Sequence, residues 1–74
     1  MQVYMVFVTW DCHANAWCAV NEELGIVLEN ASFDKLVAKA KTVAPKLAKL
    51  NDLEPVGILH FVAERREGVE NAIL

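Results

Sequence analysis

The sequence predicts an α+β domain of element order β-β-β-α-β: a four-stranded mixed sheet, strand order 3-2-1-4, with one helix on one face. Three observations carry this expectation. Two long apolar runs near the chain ends have strand length and strand composition. A lysine-rich segment between them repeats apolar residues at steps of three and four. Tight-turn residues punctuate the first thirty positions. With 74 residues, 55% of them hydrophobic, the chain is one small globular domain, with its core at about residues 2–65 and a short tail at 67–74. Below about 80 residues a single core rarely suffices, so a staple or a companion surface is expected.

Gln2–Trp10 is rich in Val, Tyr, Phe and Trp and reads as the first strand. One parity carries Tyr4, Val6, Val8 and Trp10, the other Val3, Met5 and Phe7. Both faces are apolar, which marks a central strand. Asp11–Asn15 supplies the Asp and Asn of a hairpin turn, and Ala16–Asn21 is the return strand. Asn21–Gly25 makes a second turn into a short third strand, Ile26–Glu29.

Ser32 is the helix N-cap, with Asp34 in the first turn where the dipole favours it. Phe33, Leu36, Val37, Ala40, Val43, Ala44, Leu47 and Leu50 then form one apolar stripe. Pro45 lacks an amide hydrogen and clashes with the Lys41 carbonyl, so a kink or a separate last turn is expected there. Asn51 is suited to the left-handed position that ends the helix. Pro55–Arg65 is the fourth strand, with Val56, Ile58, His60 and Val62 on one parity and Leu59, Phe61 and Ala63 on the other.

Right-handed crossover brings strand four parallel to strand one, and their shared two-sided apolarity places the pair in the middle of the sheet. One helix then leaves one face uncovered. The expected cover is a second copy, a partner protein, or the Val69–Leu74 tail.

The net charge of −3 and a pI near 5.2 argue against bulk nucleic-acid binding. The charge is unevenly spread: residues 32–50 hold five lysines against one acid, and the rest two arginines against nine acids. Lys35, Lys39, Lys46 and Lys49 share about a quarter-turn of the helix, opposite the apolar stripe. They are the candidate contacts for an acidic partner or nucleic acid. A solvated helix face is the stronger reading of them, because no aromatic residue alternates with them as a base-stacking platform needs.

Cys12, His13, Cys18 and His60 are ligand types that zinc prefers, but their spacing is not that of a zinc knuckle. A buried strand cysteine is most often a small hydrophobe. A Cys18–His60 dyad would need strands two and four to meet. No carboxylate lies between Gln2 and Trp10, where a ribonuclease-H-type site would need one. The expectation is therefore no enzyme, no metal and no cofactor. Eight apolar residues from Val3 to Trp10, with no basic stretch before them, fit neither a membrane span nor a signal segment, so a soluble cytoplasmic protein is expected.

Three motifs occur in order: W-D-x-x-A-x-x-W at Trp10, Asp11, Ala14 and Trp17; Gly25 followed by Ser32 and Phe33; and P-x-L-x-x-L-N at Pro45, Leu47, Leu50 and Asn51. In these the chain resembles the HicB-like antitoxin domains of HicA–HicB toxin–antitoxin systems, in a small branch that lacks the DNA-binding C-terminal module. It departs from them in lacking the proline before Gly25 and in carrying Cys12, His13 and Cys18. The resemblance implies a reduced ribonuclease-H-like sheet without catalysis, and an antitoxin-like interaction domain whose partner is a HicA-like toxin. Self-association as a homodimer is the companion expectation, from the uncovered face.

Overall fold

The computed structural model describes residues 1–71. Its elements are β1 (Gln2–Asp11), β2 (Ala16–Asn21), β3 (Ile26–Asn30), α1 (Phe33–Leu50) and β4 (Val56–Glu64), in one sheet of order β3-β2-β1-β4. β1 pairs antiparallel with β2 and parallel with β4, and β2 pairs antiparallel with β3. The expected architecture is thus the observed one. β4 lies at an edge, as that order requires, although both its faces are apolar, so two-sided apolarity does not by itself make a strand central.

The Asp11 carboxylate accepts the amides of His13 and Ala14 at 3.0 and 3.2 Å, and Asn15 takes φ +55° to close the first hairpin. The second turn closes at Gly25, φ +78°, whose amide donates to the Glu22 carbonyl. Asn21 ties this turn to the sheet. The pairing of β1 with β2 ends at Phe7 and Val20, so the Met5 carbonyl lies beyond the last partnered residue of β1. The Asn21 amide donates to that carbonyl at 2.6 Å, while its Oδ1 accepts the Leu24 amide at 2.7 Å.

α1 starts on Ser32, whose hydroxyl accepts the Lys35 amide. It runs unbroken through Pro45, so no separate last turn forms. Its buried residues are Leu36, Ala40, Ala44 and Ala48, a row at steps of four. Such a row drifts about 40° per step around the helix, following the twisted sheet beneath it. This drift corrects the expected stripe. Leu50 lies about 160° around from Ala48 and is 80% exposed, while Ala48, which the stripe omitted, is buried. Three alanines in the contact row let helix and sheet approach closely.

The helix end also differs from expectation. Asn51 has φ −96°, and Asp52 takes the left-handed position at φ +55°. The Leu53 amide donates to the Ala48 carbonyl and the Asp52 amide to that of Lys49, the paired bonds of a Schellman motif. The Asn51 side chain donates instead to the carbonyls of Leu47 and Leu24, joining the helix end to the second turn.

The core lies between α1 and one sheet face. Tyr4, Val6, Val8, Ala19, Leu24, Ile26 and Leu36 are buried there, with Trp17, Phe33, Leu59 and Phe61 packed around them. Val56 joins this side as well. A register shift at Gln2/Val3 places Val56 opposite Gln2 and Ile58 opposite Val3, with Gly57 as the extra residue. The bulge therefore separates Val56 from the parity it was expected to share with Ile58.

Two stability changes follow. Asn21→Ala strands the Met5 carbonyl and the Leu24 amide, and should cost about 1–3 kcal/mol in urea unfolding. Asp52→Gly relieves a left-handed backbone and should raise stability by up to about 1 kcal/mol, despite the added chain entropy of glycine.

Candidate functional site

The alternation of β1 that buries Tyr4, Val6 and Val8 against the helix turns Val3, Met5 and Phe7 to the other side. Register extends this helix-free face across the sheet. Phe7 stands opposite Val20 and Val62, Val20 opposite Val27, and Val3 opposite Ile58. Val3, Met5, Phe7, Val20, Val27, Ile58 and Val62 are all exposed, Phe7 at 54% and Val27 at 78%. These seven side chains present on the order of 600 Å2 of apolar area, at the upper limit of what monomers leave open. Val69 is itself 80% exposed, so the described part of the tail does not shelter the face; Ala72, Ile73 and Leu74 lie outside the described residues.

Polar groups mark the margins of the face. Thr9, Cys18 and Glu29 lie toward one end, by register, and His60 stands opposite Met5. Met5, Phe7 and Val20 floor a shallow depression of about 260 Å3 whose rim includes Asn21 and Glu22. An apolar floor beside a carboxylate suits a long basic side chain, with its methylene stem down and its cation at the rim.

The Cys18 thiol donates to Glu29 at 3.7 Å. Burial pushes this thiol's pKa up, and the charge and hydrogen bond of Glu29, with a further contribution from Asp11, push it the same way. A thiol held protonated is a poor nucleophile. Cys18 stands level with Thr9 and His60 with Met5, on strands separated by β1, so the two side chains are not neighbours. Cys12 and His13 sit in the first hairpin loop. Among the described residues no three His, Cys, Asp or Glu side chains gather as metal ligands would.

Lys35, Lys39, Lys46 and Lys49 are all exposed along the outer side of α1, none within ion-pair distance of an acid among the described residues. They therefore lie on the opposite side of the domain from the apolar face. Trp10 and Trp17 meet across the hairpin at 5.2 Å between centroids, edge to face, and Trp17 meets Phe33 at 5.4 Å. The Arg65 guanidinium covers Trp10 at 4.0 Å. This aromatic cluster is on the helix side and closes the end of the core.

A family model for a domain of unknown function, DUF1902, matches residues 3–71. The chain belongs to that family. The DUF1902 domain is similar in structure to the hypothetical protein TTHA1013 from the extremely thermophilic bacterium Thermus thermophilus, with a TM-score of 0.71 at 22% identity. The match covers 95% of this chain and 100% of that one, and at such identity it establishes a shared fold alone. No curated protein matches the chain. No helix among the described residues is long and apolar enough to cross a membrane.

Sequence reasoning found the face but not its margins. Glu22, Glu29 and Cys18 acquire their place only through the β1–β2–β3 register.

Alkylation near neutral pH should modify Cys12 well before Cys18, read by mass spectrometry. Glu29→Gln removes the carboxylate that holds the Cys18 pKa up, so more thiolate is present at a given pH. Cys18 labelling should then accelerate while Cys12 labelling stays unchanged.

Proposed function

We propose that this domain is a non-enzymatic protein-interaction module of the HicB-like antitoxin type, and that its helix-free sheet face receives a basic, toxin-like protein. The observation that carries the reading is the exposed apolar face built from all four strands. An apolar floor excludes water and supplies affinity, while Glu22 and Glu29 at its margins select a cationic partner over an acidic one. Nine acids against two arginines outside the helix segment give the long-range field that steers such a partner inward. Inhibition would work by occlusion: the sheet covers the partner's working surface and performs no chemistry itself. The W-D-x-x-A-x-x-W, Gly25–Ser32–Phe33 and P-x-L-x-x-L-N motifs support the antitoxin type. The lysine column takes no part in this docking.

The test is titration calorimetry with the HicA-like protein of the same genome. Binding should be strong in the wild type, fall at least tenfold in Phe7→Lys and in Val20→Lys, and slow the alkylation of Cys18 but not of Cys12. Moderate salt should weaken it only in part, screening the steering acids while the apolar contact persists. Absence of binding overturns the reading. So does loss of binding on neutralising Lys35, Lys39, Lys46 and Lys49, which is the behaviour of a phosphate-contacting strip.

A further inference from the structure

The two edges of the sheet are built differently. β3 is five residues long, carries Glu29, and passes at once into the Asn30–Ser32 turn that starts the helix. This is a short, charged edge of the kind that resists pairing. β4 is nine residues long and, among the described residues, pairs with β1 alone. Its protection is confined to its ends, with Pro55 and the Gly57 bulge at one and Glu64–Glu67 at the other. Between them Ile58–Ala63 holds no lysine, no proline and no acid, and is apolar on both faces apart from His60. Apolar side chains on both faces of a strand are the pattern of a sheet interior.

The same edge is open above as well. α1 approaches β3 more closely than β4, leaving a groove of about 260 Å3 floored by Leu59 and Phe61 and walled by Lys41, Ala44 and Pro45. Leu59 and Phe61 remain only half-buried there.

We infer that the free edge of β4 pairs antiparallel with the β4 of a second copy of this chain, about a two-fold axis at His60. A two-fold axis perpendicular to a sheet sets each residue opposite one of the same parity, so both helices lie on one side. With the axis at His60, Ile58 stands opposite the second copy's Val62 on the helix-free face. Leu59 stands opposite the second copy's Phe61 on the helix side, and Gly57 opposite its Ala63. The three pairs flanking the axis are then apolar with apolar, and only Val56, beyond the Gly57 bulge, falls against a Glu64. Moving the axis to Leu59 sets Ile58 against His60, and moving it to Phe61 sets Ile58 against Glu64. The two Glu64 carboxylates, about eight residue steps apart along the paired edge, end up about 26 Å from each other, beyond the range of appreciable repulsion.

The sizes agree with a modest dimer. The edge is about 30 Å long, and a strip that wide across the groove and the face buries on the order of 500 Å2 per copy. That is below the roughly 800 Å2 of a standard interface, but backbone ladder bonds add to it. The product is an eight-stranded sheet, order 3-2-1-4-4-1-2-3, in which β4 becomes the interior strand that its composition describes. The two helix-free faces join into one, so the docking surface proposed above is doubled and not consumed.

Light scattering after size exclusion, over a concentration series, tests this. The wild type should run at twice the 8.2 kDa chain mass. His60 is exposed, so His60→Glu and His60→Lys leave the monomer fold intact by circular dichroism. Each alone places like charges opposite one another across the axis and should weaken the dimer about tenfold or more. An equimolar mixture of the two should restore it. Val27→Lys, three strands away on the β3 edge, should leave the dimer unchanged, and Phe7→Lys should lose partner docking while keeping it. A monomeric wild type overturns the proposal, and so does mixing that restores nothing. Dissociation by Val27→Lys would assign the dimer to the helix-free face instead, overturning the edge pairing.

Discussion

A single helix can cover one face of a four-stranded sheet and no more. In this chain that constraint decides which apolar residues become core and which become surface. The side under α1 is filled by Tyr4, Val6, Val8, Ala19, Leu24, Ile26 and Leu36, with three helix alanines closing the distance. The other side repeats the same kind of residue, in Val3, Met5, Phe7, Val20, Val27, Ile58 and Val62, with nothing among the described residues laid over it. A chain of this size has little stability to spare, so apolar residues kept in water point to an exposed role and not to neglect.

The polar interactions that hold the covered side together sit at its corners. Asn21 joins the second turn to β1, and Asn51 joins the helix end to that same turn. The Tyr4 hydroxyl donates to the Glu54 carbonyl at 2.6 Å, tying β1 to the approach of β4. Burial of this phenol pushes its pKa up, helped by the nearby Glu23 and Glu54, so the hydroxyl remains a donor. Each of these groups satisfies a backbone atom that the ladders and the helix leave over. Together they clamp the second turn and the α1–β4 connection at one end of the sheet, while the aromatic cluster of Trp10, Trp17 and Phe33 closes the other. The helix-free face carries none of these fastenings.

Local rules hold wherever one element decides the outcome. The period-two pattern of β1, the Ser32 cap and the Trp10–Trp17 pair are each properties of a few neighbouring residues. The helix stripe holds near its start and fails at Leu50, because a straight wheel ignores the drift of the contact row across a twisted sheet. The left-handed position expected at Asn51 belongs to Asp52. Both residue types tolerate that backbone, and the choice depends on Asn51 reaching the Leu24 carbonyl, a contact distant in sequence.

Sequence alone determined the class of the fold, the strand order and the excess of apolar residues over what one helix can shelter. Those follow from periodicity and chain length, which are local and countable. Only the tertiary structure decided that Gly57 shifts the first residue of β4 to the helix side, and that the acids gather at the margin of the open face. Register arises from pairing between strands far apart along the chain, and no pattern within one strand encodes where its partner will shift or which side chains of other strands it will meet.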